Sequence, residues 1–319
     1  MSAFEVSQIE LPDFGLKEGG YGSELLPVGD ALKVVLSLPS AGATCPWACA
    51  DVQSGAVASA RGLRGEVRDG CLDGAGHGWL LTTSALVRVD VAGAARIVEV
   101  LVPNGLGRDH SRLLPMGDDR YGVCSWLGQT LSVVDVRASA IIKKIRVPAP
   151  HVSLVGETTV TLYSAHGGQR MRLRRPGLER LELDSMPTGT RPFLDAGELV
   201  MVLGERRPIT HSDAWEIARD AVGIFDAETL EERSRVPMPT GAREVLGKDK
   251  EGRLVISTDD GLVLVERSTL REIARLALPD AHRIRAHAFL RTQQAMVMTD
   301  QIRPRQLIVA RWKANPGHD

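Results

Sequence analysis

The chain carries an internal repeat that ends each time in an apolar residue followed by proline. The clearest copies cover residues 86–103, 131–148, 222–239 and 262–279. Each contains a strand-like apolar run, an acidic residue, a short polar turn and a second strand-like run. A period of about 40–50 residues built from several short strands is typical of a β-propeller. The repeat therefore constrains the fold more than the composition does.

The spacing of the repeats predicts the number of blades. The polar residue that ends the third strand-like run of each unit recurs at intervals of 39 to 51 residues. These positions are Asp51, Asp90, Asp135, Arg175, Asp226, Glu266 and Arg311. Alternation of apolar and other residues with a period of two, as in Val87 to Val91, favours strands over helices. The sequence thus predicts an all-β, seven-bladed propeller.

The two ends of the chain are expected to meet in one blade. The last unit reaches Trp312 without an outer strand, whereas residues 4–12 read as the missing strand, with the same Leu-Pro ending. Pairing the two ends would close the ring and remove an exposed sheet edge. We therefore expect residues 1–319 to form a single domain closed by the N-terminal strand. Six blades with an N-terminal extension is the alternative, because residues 13–63 form the least regular unit.

Charge and cysteine content exclude several classes of function. With 39 basic and 40 acidic side chains, the chain has no net field to attract nucleic acid or an anionic membrane. The beginning of the chain lacks the charge and hydropathy pattern of a signal peptide, and no apolar run approaches ~18 residues. A cytoplasmic location is the resulting expectation. The gap between Cys45 and Cys49 differs from redox and zinc motifs, so no metal and no cofactor are expected.

The D-x-x-T/S and Val-Pro pattern resembles the repeats of bacterial seven-bladed propellers, in particular the YVTN and virginiamycin-B-lyase-like groups. The resemblance covers nearly the whole chain. The Gly-His and Trp-Asp dipeptides of WD40 repeats are absent. The lyase group implies a histidine base and a magnesium ion held by acids, for which this chain offers His151 or His282 as base. It has no evident acidic pair at matching positions, although Asp109, Asp213 and Asp300 remain as candidates.

Basic side chains recur just after the repeated prolines. In a propeller the loops that join successive blades open on one face, so equivalent positions there lie around one rim. The residues concerned are His110, His151, Arg191, Arg243, His282 and Arg283. Such a rim suits a carboxylate or a phosphate. The same side chains can instead serve only to pair with neighbouring carbonyls and acids such as Glu244.

An insertion at residues 204–221 lengthens the fifth unit. Asp213 followed three residues later by Glu216 has the form of a helix start, and predicts a short helix that presents His211 and Trp215 over the rim. Other loops on this face would offer Trp126 and His166. Tryptophan together with arginine is the composition of binding hot spots.

Two classes of function follow. The first is a binding propeller that holds a peptide or protein segment, or another carboxylate ligand, at the rim, with neither nucleic acid nor membrane as partner. The second is a lyase, isomerase or hydrolase that acts on a small anionic or natural-product-like substrate, with His151 or His282 as the candidate catalytic base. Standard signatures such as G-x-S-x-G and H-E-x-x-H are absent from the sequence.

Overall fold

The computed structural model describes residues 4–12, 24–28, 33–37, 44–64, 67–72, 78–83, 85–90, 96–101, 111–125, 129–148, 150–208, 215–239, 241–278, 284–290, 294–300 and 306–312. The secondary structure of these residues consists of 28 β-strands. The all-β class predicted from the repeat is confirmed.

The strands of the first half are β1 (Phe4–Glu10), β2 (Glu24–Val28), β3 (Lys33–Ser37), β4 (Thr44–Asp51), β5 (Val57–Arg64), β6 (Val67–Leu72), β7 (Gly78–Thr82), β8 (Leu86–Asp90), β9 (Arg96–Leu101), β10 (Ser111–Gly117), β11 (Arg120–Ser125), β12 (Thr130–Asp135) and β13 (Ala140–Arg146). Those of the second half are β14 (Val152–Val155), β15 (Thr159–Ser164), β16 (Gln169–Arg174), β17 (Glu179–Ser185), β18 (Phe193–Asp195), β19 (Glu198–Pro208), β20 (Trp215–Asp226), β21 (Glu232–Pro237), β22 (Ala242–Lys248), β23 (Leu254–Thr258), β24 (Gly261–Val265), β25 (Glu272–Ala277), β26 (Ile284–Leu290), β27 (Ala295–Asp300) and β28 (Gln306–Trp312).

The strands form four-stranded antiparallel sheets. Six sheets consist of four consecutive strands each, from β2–β5 through β22–β25, and one further sheet has the order β1-β28-β27-β26. In this composite sheet Phe4 pairs with Trp312 and Glu10 with Gln306. The rings of Phe4 and Trp312 meet edge to face with centroids 6.2 Å apart.

The prediction of seven blades in a closed ring is wrong: six blades are built from four consecutive strands each. The sheets fall into two compact units, one of Met1–Arg146 with Arg283–Asp319 and one of Val147–His282. The first holds the composite sheet and β2–β13, the second holds β14–β25, and the structure describes no closed ring. The sequence could not predict the two compact units. The repeat reflects strand pairing within each sheet and carries no information about how the sheets group together. The single domain expected over 1–319 stays a prediction.

Turns between third and fourth strands explain why the repeat carries an acid. The Asp226 carboxylate accepts hydrogen bonds from the backbone N–H groups of Glu228 and Thr229, each at 2.9 Å. Leu230 then adopts a left-handed conformation with φ 62° and donates its N–H to the Asp226 carbonyl. Asp51 and Asp135 accept backbone N–H bonds in the corresponding turns. The repeat therefore contains an aspartate at this position because its short side chain accepts the backbone N–H bonds of its own turn.

A β-bulge recurs where the third and fourth strands pair. Register shifts occur at Val133/Val134, Arg172/Leu173, Ile224/Phe225 and Leu264/Val265. Each leaves one extra residue on the outer strand, for example Ile142 on β13 and Leu181 on β17. Bulges increase the local twist of an edge strand and so disfavour pairing with other molecules.

Sheets of the second unit are buried on both faces, which explains their continuous apolar strands. Leu199 and Met201 of β19 pack with Tyr163 and Met186 of the preceding sheet. The alternate β19 residues Val200 and Val202 pack with Leu254, Ile256 and Val263 of the following sheet. Since successive residues of a strand point to opposite faces, one strand joins three sheets into a core.

A cluster of six ionic side chains joins two sheets of this unit. Asp195, Glu198 and Asp226 occupy directly paired positions on neighbouring strands, an arrangement of like charges that is unfavourable by itself. Lys248 Nζ lies 2.6 Å from Asp195 Oδ2, and Arg233 lies 2.5 Å from Asp226 and 3.4 Å from Glu198. Arg267 also contacts Glu198. The acids come from the sheet β18–β21, whereas Lys248 and Arg267 come from the next sheet, so the cluster fixes the contact between them.

Candidate functional site

The upper end of a sheet is defined here as the end where its first strand begins and where its second and third strands are joined. In the second unit the first strands β14 and β18 contact each other, as do β18 and β22. His151 directly precedes β14, Arg191 lies two residues before β18, and Arg243 is the second residue of β22. Three of the predicted site residues thus lie at the upper ends of three consecutive sheets.

His151 is nearly buried, with 4% of its surface exposed. Its backbone N–H donates to the Tyr163 carbonyl at 2.8 Å, which fixes the residue above the first strand. Its ring meets that of His166 edge to face, with centroids 4.3 Å apart and an interplanar angle of 69°. His166 lies in the turn between β15 and β16, so both imidazoles belong to the upper end of one sheet. The sequence placed both residues on this face but gave no sign that they touch.

Arg191 is exposed and lies in a well-anchored segment. The N–H of Thr190 donates to the Val202 carbonyl at 2.9 Å, and the Thr188 hydroxyl donates to the Gly204 carbonyl at 2.8 Å. Gly189 is required between them, since a Cβ there would lie 2.4 Å from the Val202 oxygen. Within the described part of the chain, no ion pair involves Arg191. Its backbone is therefore anchored, and its guanidinium is open to solvent.

Arg243 has a different environment from the one that its neighbours in sequence suggested. Its Nε lies 2.6 Å from Asp259 Oδ1, and Asp259 belongs to the turn between β23 and β24. The Asp259 N–H donates to the Gly241 carbonyl, which holds this turn against the start of β22. Glu244, the partner suggested by the sequence, is not the one observed. Both Arg243 and Asp259 are substantially exposed, so a ligand carboxylate can still reach the guanidinium.

Tyr163 lies just below His151 and has a structural role. Burial raises the pKa of its hydroxyl to about 12. The hydroxyl donates to the Ala227 carbonyl of the next sheet at 2.5 Å. Tyr163 is thus uncharged at neutral pH and serves to join two sheets.

The predicted helix in the insertion 204–221 is wrong. Residues Trp215–Asp226 form the strand β20, which pairs along its whole length with β19. The local Asp213–Glu216 pattern favours a helix start, but the partner strand satisfies the same backbone groups, and tertiary pairing prevails over this weak signal. Trp215 consequently lies at the end of a long hairpin, opposite Pro208.

Several predicted site residues lie outside the described residues. These are His110, Trp126, His211, His282 and Arg283. Their contribution to the rim stays a prediction, as does that of the Trp215 side chain.

The resemblance to lyases implies a magnesium ion, but the described residues do not provide a suitable set of ligands for it. There, no group of three or more His, Cys, Asp or Glu side chains has the arrangement of a metal site. Cys49 lies buried in β4, with 5% of its surface exposed. No catalytic step through a metal ion is therefore derived.

Comparison with solved structures decides the fold. The Neurospora crassa Pan2 WD40 domain matches with a TM-score of 0.70 at 11% identity, over 99% of this chain and 98% of that one. A streptogramin B lyase matches with a TM-score of 0.68 at 14% identity, over 97% and 98%. BamB from Moraxella catarrhalis matches with 0.61 at 15%, over 99% of both chains.

The chain folds as a β-propeller. The resemblance to bacterial propeller repeats is confirmed at the level of the fold by the matches to the streptogramin B lyase and BamB. No family model matches the sequence, and no curated protein matches it either. In the part of the chain with described structure, no helix has the length and apolar character needed to cross a bilayer. Sequence identities of 11–15% establish the fold only, so the activity has to be inferred from the residues of the site.

Proposed function

We propose that the upper end of the unit Val147–His282 binds a peptide or protein segment, or another ligand that bears a carboxylate. The observation that supports this most is the position of His151, Arg191 and Arg243, which stand at the starts of three consecutive first strands. Groups on rigid strand ends are held more accurately than groups on long loops. A ligand that spans the three sheets would meet an imidazole and two guanidinium groups in a fixed order.

Arg191 is the principal contact in this proposal. It is exposed, and its backbone is fixed by the bonds of Thr188 and Thr190 to β19. A guanidinium presents paired N–H donors that match the two oxygens of a carboxylate. Arg243 contributes a second positive group whose bond to Asp259 is exchanged for the ligand. A cytoplasmic location belongs to the same proposal.

The test uses immobilised random peptides that are identical except for a free or an amidated C-terminus. We expect the protein to bind a subset of the free-carboxylate peptides and to lose roughly tenfold or more in affinity for the amidated forms, because a hydrogen bond to a charged group is lost. Arg191→Ala should reduce binding to the same extent, and Arg191→Lys should restore only part of it.

The control for this test is Arg235→Ala, an exposed arginine that pairs with Glu232 on an outer strand and should bind like the wild type. Equal binding of free and amidated peptides, or unchanged binding by Arg191→Ala, would exclude the proposal. The unfolding temperature of each variant is measured alongside, since the exposed arginines contribute little to stability.

A second candidate function rests on the contact between His151 and His166. Two touching imidazoles at the end of a sheet form an arrangement that can accept and return a proton, as a lyase, isomerase or hydrolase requires. His166→Gln then tests the enzyme: a shifted pH–rate profile on small anionic substrates would support it. If neither the wild type nor the variant turns over any such substrate, the binding function is favoured.

A further inference from the structure

The hairpin of β19 and β20 extends beyond the rest of its sheet. The first strand β18 pairs only with Glu198–Val200, and the outer strand β21 pairs with β20 only from Ala221 to Phe225. Past a register shift at Leu203/Gly204, five further pairs run from Gly204↔Arg219 to Pro208↔Trp215. This two-stranded extension, residues 204–208 and 215–219, is called the arm. At about 3.3 Å per residue it projects roughly 15 Å from the upper end of the sheet.

The two edges of the arm differ in their ability to pair. On the β19 edge, Thr188–Thr190 are bonded as far as Gly204, and Pro208 has no N–H to donate. The other edge of the arm belongs to β20, on the side where β21 pairs lower in the sheet. The pairing with β21 ends at Ala221↔Pro237, before the arm begins. Among the described residues, no strand pairs with the β20 edge from Trp215 to Arg219. This stretch contains neither proline nor lysine, two residues that commonly protect edge strands, although Glu216 and Arg219 are charged.

A two-stranded ribbon is marginally stable in water unless another strand or a core covers it. The length of the open edge and its sequence, Trp-Glu-Ile-Ala-Arg, indicate what covers it here. Two copies of this stretch placed edge to edge in antiparallel orientation are related by a two-fold axis normal to the sheet. Such an axis passes midway between one residue and its equivalent in the second copy, so that the two face each other.

We propose that the arm pairs with the arm of a second copy of this chain, with the two-fold axis at Ile217. In this register Ile217 faces Ile217 of the second copy, and Glu216 faces Ala218. In this register Trp215 is placed opposite Arg219 of the second copy on both sides of the axis, so no like charges are opposed there. The result is a continuous sheet through both copies and an isologous dimer.

The alternative registers are disfavoured by charge. Centring the axis on Glu216 would place that glutamate opposite its own equivalent, and centring it on Ala218 would place Glu216 opposite Asp220. Like charges directly opposed across a strand pair are destabilising. Of these three registers, only the one centred on Ile217 places no like charges opposite each other. Charge therefore selects this alignment. The extra residue Asp220, at the register shift, separates the dimer contact from the pairs of β20 with β21.

Sedimentation or light scattering across a range of protein concentrations tests the dimer. We expect the wild type to be dimeric, and Ile217→Lys to raise the dissociation constant roughly tenfold or more, because it places two positive charges together at the axis. The matched control is Ile142→Lys on β13, which changes an apolar side chain that is 46% exposed on another strand and should leave the dimer intact. A monomeric wild type, or an Ile217→Lys variant that dimerises like the wild type, would overturn the proposal.

Cysteine cross-linking tests the register independently of stability. Ile217→Cys should form a disulfide between two copies on mild oxidation, since directly opposed residues have Cβ atoms about 5 Å apart. Arg219→Cys should not, because its equivalent in the second copy lies several residues away along the strand. The wild type, which has four cysteines, gives the background. Cross-linking of Arg219→Cys in preference to Ile217→Cys would refute the alignment. Neither outcome depends on the ligand proposal, since neither experiment contains a peptide.

Discussion

Removing the carboxylate of Glu198 should destabilise the contact between the sheets β18–β21 and β22–β25. The side chain of Glu198 is 12% exposed and faces Arg233 at 3.4 Å and Lys248 at 3.9 Å, with Arg267 in direct contact. At 3.4 Å and an effective dielectric constant of about 20, the attraction to one cation is about 5 kcal/mol before any cost of desolvation.

The net effect of Glu198→Ala is smaller than this gross attraction. Arg233 keeps Asp226 at 2.5 Å and Lys248 keeps Asp195 at 2.6 Å, so Arg267 is the cation that loses the most. Fully buried pairs cost about 3–5 kcal/mol to break. The side chains of Arg233 and Arg267 are 50% and 38% exposed and are screened by water, which brings the expected loss to about 2 kcal/mol.

Thermal unfolding followed by circular dichroism measures this loss, which corresponds to a decrease of roughly 3 °C in Tm for a chain of 319 residues. The control is Glu232→Ala on the same sheet, which removes an exposed pair with Arg235 and should cost less than about 0.5 kcal/mol. The reasoning fails if Glu198→Ala lowers Tm no more than Glu232→Ala does.

Three further predictions concern single residues outside the proposed site. Hydrogen bonds from Thr229, Arg233 and Glu228 hold the pKa of Asp226 at about 2, below its usual 3.8, so its contribution to stability is present above pH 4 and is lost as the pH falls towards 2. Tm measured against pH should therefore fall less steeply between pH 4 and 2 for Asp226→Asn than for the wild type, and parallel curves would contradict this. Burial raises the pKa of the Cys124 thiol to about 12, so Cys124→Ala should leave unchanged the number of thiols that react with a disulfide reagent in the native protein at pH 8. Ser139 is exposed with φ 49°, and Ser139→Gly should raise the free energy of unfolding by up to about 1 kcal/mol, whereas Ser139→Ala should not.

The repeat predicted the four-stranded pattern within each sheet because this pattern follows from interactions between residues close together in the chain. The acid, the left-handed residue four positions later and the bulge on the outer strand lie within one short stretch of chain, as in Asp226 to Arg233. The apolar runs follow from burial on both faces of each sheet. Contacts between distant segments of the chain produce no such local sequence pattern. For this reason the division into two compact units could not be predicted.

The sequence predicted where the candidate residues lie in the fold, but it did not predict which side chains surround them. His151, Arg191 and Arg243 stand where the repeat places them, at the starts of first strands. Their environments depend on residues from other turns, namely Asp259 for Arg243 and His166 for His151. The mistaken helix in the insertion has the same origin, because a local capping pattern carries no information about the partner strand that Trp215–Asp226 acquires.

The pairing of β1 with β28 has a consequence for synthesis in the cell. Phe4 and Trp312 are neighbours in the sheet but lie 308 residues apart in the chain, so Trp312 is synthesised long after Phe4. At roughly 5–20 residues per second, the first strand waits on the order of 15–60 s for its partner to leave the ribosome. During that interval the other sheets can assemble from consecutive strands, while Phe4–Glu10 stays unpaired with its own sheet. Completion of the composite sheet therefore has to follow the synthesis of Gln306–Trp312, and a nascent chain stalled before Gln306 would leave the strand Phe4–Glu10 without its partner.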